Sequence, residues 1–166
     1  MAHPRHDNVR ARYQFRYGYC GVSEVDVGGQ LTVDHHIPVS AGGDDSDDNL
    51  IYCCSRCNLF KVDFVPDAEQ QKRGFRLLHP LRDQLDEHVT LDEEIGELEP
   101  LTQTGRFHIV WLHLNRPELV AHRLRELLLQ AWQERLQLLE AEVAHLREQL
   151  LKRAQEEQEL KKLLGE

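Results

Sequence analysis

A chain of 166 residues with 40% hydrophobic content has room for one ordinary core and an appended element, but not for two large domains. No apolar run approaches the ~18 to 20 residues of a membrane span, and the opening MAHPRHDNVR lacks the apolar stretch of a secretory signal, so a soluble cytoplasmic protein without membrane contact is expected. The net charge of −9 excludes a protein that coats nucleic acid through bulk positive charge, and any such contact has to be local.

In chain order, residues 7–16 have helical spacing, with Asp7 or Asn8 available as N-cap and Gly18 near the stop. Arg5, Arg10, Arg12 and Arg16 interleave there with Tyr13, Phe15, Tyr17 and Tyr19, which reads equally as a local nucleic-acid surface or as an amphipathic packing helix. The stretch from Ser23 to His36 alternates around Gly28-Gly29 and predicts two short antiparallel strands, the second running from Leu31 to His35. SAGGDDSDDN is a loop, and from Asp48 the pattern turns helical through Leu50, Ile51, Cys54, Leu59 and Val62, with a break around the cysteines. A second hairpin is expected around Gly96 in the acidic stretch 64–104. Asn115-Arg116-Pro117-Glu118 then makes a helix start, because Asn caps, Pro tolerates the first turn and Glu118 suits a capping box. No Gly or Pro follows before Leu164, so one long helix is predicted.

That helix carries heptads, with Leu129, Leu136, Val143 and Leu150 at a and Trp132, Leu139 and Leu146 at d. Arg153 and Glu157 interrupt the seam before Leu160 and Leu164 resume it. A parallel dimer would set Arg135 against Glu140, Glu142 against Arg147 and Glu156 against Lys161, while an antiparallel one offers pairs such as Arg135 with Glu156. A homodimer through residues 125–164 is expected; the alternative is that the stripe folds back on the rest of the chain.

All four cysteines, Cys20, Cys53, Cys54 and Cys57, fall in one short stretch, the last three too crowded for a conventional disulfide ladder, and they read as metal binding. Around them lie Asp34-His35-His36-Ile37-Pro38, Gly42-Gly43, Asn49-Leu50, Cys54-Ser55-Arg56-Cys57-Asn58 and Lys61. Asp and Asn supply hard oxygen ligands that suit Mg²⁺ or Mn²⁺, and an adjacent His takes a proton from water near neutral pH. Those residue types together suggest phosphodiester hydrolysis.

In residue type, order and spacing this set resembles the HNH endonuclease family. The resemblance implies an α+β fold with a small ββα-metal core over 1–64; an auxiliary α/β extension over 65–122 and, from the heptads, a coiled-coil helix over 123–166 are expected to follow. It also implies an endonuclease that hydrolyses DNA with one divalent cation, Mg²⁺ or Mn²⁺. By position, His35 corresponds to the general base, Asp34 and Asn58 to the metal ligands, and Asn49 to the residue that fixes the loop carrying His35. Lys61 and Arg56 would meet phosphate, although Lys61 also reads as a solvated helix lysine. Neighbouring strand residues point to opposite faces, so Asp34 and His35 are expected where the strand bends toward Pro38. His36, at a variable place in the family pattern, is read as structural.

Many HNH proteins hold a structural zinc with two CxxC pairs. Here Cys54 and Cys57 would form one pair and Cys20 half of the other, while Tyr17 stands where the fourth thiolate belongs. Cys53 or a histidine would complete the shell, or the Tyr17 ring would fill it in place of zinc. The segments LLHPLRDQLDEHVTLDEEIGEL and LHLNRPELVAHR resemble the downstream part of a subset of bacterial HNH proteins, some associated with mobile elements and anti-phage defence. His79, His88, His108, His113 and His122 lack metal-ligand spacing and read as structural or solvated. The rival reading is a catalytically inactive zinc-knuckle module that binds nucleic acid and is oligomerised by its coiled coil.

Overall fold

The computed structural model describes residues 3–30 and 32–164, in two compact units, Met1–Leu124 and Arg125–Glu166. Helix α1 (His6–Arg12) begins one residue before Asp7, so neither Asp7 nor Asn8 caps it; Asp7 instead places negative charge in the first turn, where the helix dipole favours it. It ends before residue 16 because Gln14 and Phe15 take positive φ values of 53° and 60°. Its arginines are tied into the protein: Arg10 donates to both Glu24 carboxylate oxygens at 2.5 and 2.6 Å, and Arg12 donates to the Leu50 carbonyl at 2.8 Å. Tyr13, Tyr17 and Tyr19 are buried, so the packing reading describes this segment.

The expected strand before Gly28 is instead a short helix, α2 (Glu24–Val27). Ser23 caps it by accepting from the Asp26 N–H, and Gly28 closes it in the left-handed conformation at φ 70°. Local capping therefore outweighs the alternation, and the Gly-Gly pair ends a helix instead of turning a hairpin. Strand β1 (Thr32–His35) pairs antiparallel with β2 (Leu50–Cys53), His35 opposite Leu50 and Asp34 opposite Ile51. Leu31 lies outside the described residues.

Residues 50–53, read from sequence as helix, are thus the second strand. Leu50, Ile51, Tyr52 and Cys53 are all fully buried, and a strand covered on both faces has no alternation to reveal it. Burying an aliphatic side chain such as Leu50 or Ile51 is worth about 1.5–3 kcal/mol, so β2 anchors the core. Helix α3 (Ser55–Lys61) follows at once, with the Cys54 sulfur as cap, accepting from the Cys57 N–H at 3.2 Å. A ββα order results.

After α4 (Ala68–Lys72), β3 (Val89–Leu91) and β4 (Leu98–Pro100) form the hairpin expected around Gly96, which has φ 73°. Helix α5 (Gln103–Trp111), capped by Thr102, adds Ile109 to a core shared with Val9, Tyr52, Leu77, Leu112 and Leu119. Helix α6 (Pro117–Leu164) starts at the expected proline, but Asn115 spends its carboxamide on β4, accepting from the Leu98 N–H and donating to the Leu98 carbonyl, each at 2.8 Å. The fold is α+β with a long C-terminal helix. Among the described residues no helix is long and apolar enough to cross a membrane.

Candidate active site

The turn between β1 and β2 is held by one side chain. Asn49, nearly buried, accepts from the Ile37 N–H at 2.7 Å and donates to the carbonyls of Ile37 and Asp44 at 3.0 and 2.9 Å. The two glycines have separate reasons. Gly42 has φ 86°, and a Cβ on Gly43 would lie 1.8 Å from the Ile37 carbonyl oxygen and 2.8 Å from the Asn49 amide nitrogen. This clasp fixes the backbone just beyond Asp34 and His35.

On one side of β1, Asp34 meets α3. The Asn58 carboxamide lies 3.0 and 3.3 Å from the two Asp34 oxygens, its NH₂ facing the carboxylate. Lys61, one helical turn further, extends its ammonium to 3.1 Å from Asp34 Oδ2 and donates to the Val62 carbonyl at 3.3 Å. Its side chain is 1% exposed, which corrects the solvated-lysine reading. Trp111 donates its indole N–H to the Lys61 carbonyl at 3.4 Å, so the helix end is braced from α5. Arg56, by contrast, is exposed and pairs with Glu118 at 2.7 Å.

His35 faces different partners. Its Nε2 lies 2.7 Å from Asp45 Oδ1, and His3 Nε2 approaches the same oxygen at 3.6 Å. The His35 hydrogen bond is the main reason the Asp45 carboxyl is held below its ordinary range. Adjacent strand positions project to opposite faces. The site is therefore divided between a carboxylate, carboxamide and ammonium on one side and a histidine with a carboxylate and a second imidazole on the other. His36 is packed away, its Nδ1 3.0 Å from the Tyr19 hydroxyl and its ring 4.8 Å from that of His79. Burial pushes its pKa down to about 4, so it is neutral.

The sulfurs of Cys20, Cys54 and Cys57 lie within 4.8 Å of one another, a set that fits a thiolate-binding ion such as Zn²⁺. Neither Cys53 nor the Tyr17 hydroxyl joins them. The Cys53 thiol is directed at the Cys54 carbonyl, and the Tyr17 hydroxyl donates to the Gly29 carbonyl at 3.4 Å. The group that does face the cluster is Arg116, whose guanidinium lies 3.7 Å from Cys57 Sγ and 3.9 Å from Cys54 Sγ. Cys54 is the thiol with the depressed pKa, because Cys20 and then Cys57 hydrogen-bond to it, with the charge of Arg116 adding to the effect.

Sequence reasoning missed Arg116, Asp45 and His3. Arg116 was hidden inside a helix-start motif and Asp45 among the aspartates of a polar loop; nothing local in the sequence marks His3.

Residues 18–63 match the family model of the HNH endonuclease. This segment spans β1, β2, α3 and every residue of the divided site except His3. No curated protein and no solved structure matches the chain.

Proposed function

We propose that this protein is a divalent-metal-dependent endonuclease that hydrolyses DNA phosphodiesters, acting in the cytoplasm as a homodimer through residues 125–164. The observation that carries the reading is the convergence of Asp34 and Asn58, contributed by β1 and α3, around a cationic group supplied by the protein itself. A position that already holds the Lys61 ammonium against a carboxylate is one where positive charge is favoured, and its oxygen donors suit Mg²⁺ or Mn²⁺.

In this reading Asp34 and Asn58 would hold the cation, which would supply Lewis-acid stabilisation of charge on the phosphate and the leaving oxygen. His35 is the general base. Asp45 accepts from its Nε2–H, which fixes the tautomer and leaves the lone pair on Nδ1 to take a proton from the attacking water. Asn49 is a positioning residue that holds the strand end, and the scissile phosphate spans that end to reach both halves of the site. Lys61, released from Asp34 where a cation is held, would direct its charge to phosphate, and Arg56 would do so from the exposed face of α3. An open depression lined by Thr32, Ser55, Asn58, Leu59 and Val62 borders the Asn58 carboxamide and gives the backbone of the substrate a place to lie. Cys20, Cys54 and Cys57 hold a structural Zn²⁺, with Arg116 balancing their charge from outside the thiolate shell.

A second reading has its own observation. The Lys61–Asp34 pair and the separation of His35 from Asp34 also suit a catalytically inactive, zinc-braced nucleic-acid-binding module that needs no added cation. Incubating the purified chain with supercoiled plasmid in Mg²⁺, Mn²⁺ or EDTA separates the two. Conversion to open-circular or linear DNA only with the cation supports the nuclease, and binding without cleavage in all three supports the module.

A further inference from the structure

Behind β1, away from Asp34 and from the cysteines, three side chains from distant parts of the chain meet. Asp45 Oδ1 is 2.7 Å from His35 Nε2 and 3.6 Å from His3 Nε2, the two imidazoles stand edge to face at 6.1 Å, and one donor atom from each residue lies within 4.8 Å of the others. We propose that His3, His35 and Asp45 form a binding site for a late first-row divalent transition ion such as Zn²⁺, separate from the Asp34–Asn58 pair and from the cysteine cluster.

Two imidazole nitrogens and one carboxylate form a donor set that such ions prefer, whereas Mg²⁺ takes oxygen ligands; the two faces of β1 therefore select different metals. Around a tetrahedral ion with bonds of about 2.0–2.2 Å, ligand atoms lie roughly 3.3–3.6 Å apart. The observed separations bracket that range, so small side-chain rotations suffice. Both imidazoles are one-fifth exposed and Asp45 two-thirds exposed, which gives an ion a path in and leaves a coordination position for water. Asp44 and Asp47 in the same loop add negative charge, partly offset by the pairing of Arg5 with Asp47 at 2.9 Å. Binding has one local cost. The His3 Nδ1 now accepts from the Arg5 N–H at 3.1 Å, and that bond is given up when coordination at Nε2 moves the ring proton to Nδ1.

The same tautomer change at His35 places a proton on the nitrogen assigned above as the base. Zn²⁺ at this site therefore inhibits Mg²⁺-supported cleavage, a consequence that rests on the nuclease reading, whereas the binding itself does not.

The test is isothermal titration of the full chain with Zn²⁺ alone, without nucleic acid, comparing wild type with His3→Ala, Asp45→Asn and Cys54→Ser. Besides the zinc held by the cysteines, wild type is expected to take up one more that His3→Ala and Asp45→Asn each lose or bind at least tenfold more weakly, and that Cys54→Ser retains. Circular dichroism identifies any variant that has unfolded, and ring-nitrogen NMR shifts of His3 and His35 on zinc addition to wild type report the site without any substitution. Unchanged zinc uptake in both variants, or unmoved His3 and His35 signals, overturns the proposal. In plasmid nicking, Zn²⁺ should inhibit wild type and spare His3→Ala. A chain that binds zinc through this set but never cleaves DNA overturns the nuclease reading and leaves the site supported.

Discussion

In the proposed mechanism Lys61 competes with the cation for Asp34, against which its ammonium is held almost fully buried. Removing one partner of a buried ion pair leaves the other uncompensated, at roughly 3 kcal/mol or more. Lys61→Met is therefore expected to lower stability by about that amount without added cation, and to recover more in Mg²⁺ than wild type does, because the ion restores the missing charge. Thermal melts with and without Mg²⁺ measure this; equal responses in the two proteins would refute competition between Lys61 and a cation. His108 offers a second residue-level test. It is buried, accepts from the Leu78 N–H through Nδ1, and burial lowers its pKa to about 3. Between pH ~6.5 and ~3 the unfolded ring binds a proton that the folded one refuses, so stability falls as the pH falls through that window, by up to about 5 kcal/mol from this group. His108→Asn, which keeps an acceptor for Leu78, should flatten the loss of melting temperature between pH 7 and 4. Sequence made Asp34, Asn49 and Asn58 legible because their types and spacing act together. It could not show that Lys61 is buried or that Arg116 faces the thiols, since both depend on how distant elements pack.

Among the elements, the turn between β1 and β2 shows why two glycines and one asparagine belong together. Gly43→Ala puts a methyl group into the Ile37 carbonyl and against the Asn49 amide, and no rotamer relieves a clash with backbone. The clasp has to open, at a cost on the order of 2–3 kcal/mol. Gly42→Ala acts differently, straining only a positive φ with nothing within 4 Å of its Cβ, so it should cost about 1 kcal/mol. Chemical denaturation of the two variants checks the order, and equal losses would mean that the Asn49 contact is dispensable. The same region shows where pattern reading stops. The hairpin at Gly96, the Pro117 helix start and the Gly-free tail were readable because each is specified locally. Strand β2 was read as helix because four consecutive buried residues carry neither a period of 2 nor one of 3.6, and α2 was read as strand because a one-turn helix is too short to show its period.

The whole molecule ends in a long helix with an unpartnered apolar seam among its described contacts. Leu129, Trp132, Leu136, Leu139, Val143, Leu146 and Leu150 are between 40% and 71% exposed along α6, in the a and d positions that a second copy would cover. Light scattering should give a dimer for the full chain at micromolar concentration and a monomer for a chain ending at Leu124; a monomeric full chain would contradict the dimer. In the nuclease reading pairing would have a chemical use, because one such site would cut one strand and two could cut both. The claim that most needs testing is that His35 drives the cleavage, and single-turnover nicking of supercoiled plasmid in Mg²⁺ tests it directly. His35→Ala is expected to stay folded and to slow cleavage by ~10² to 10⁴, whereas a His35→Ala protein that nicks as fast as wild type would contradict the assignment of His35 as the base.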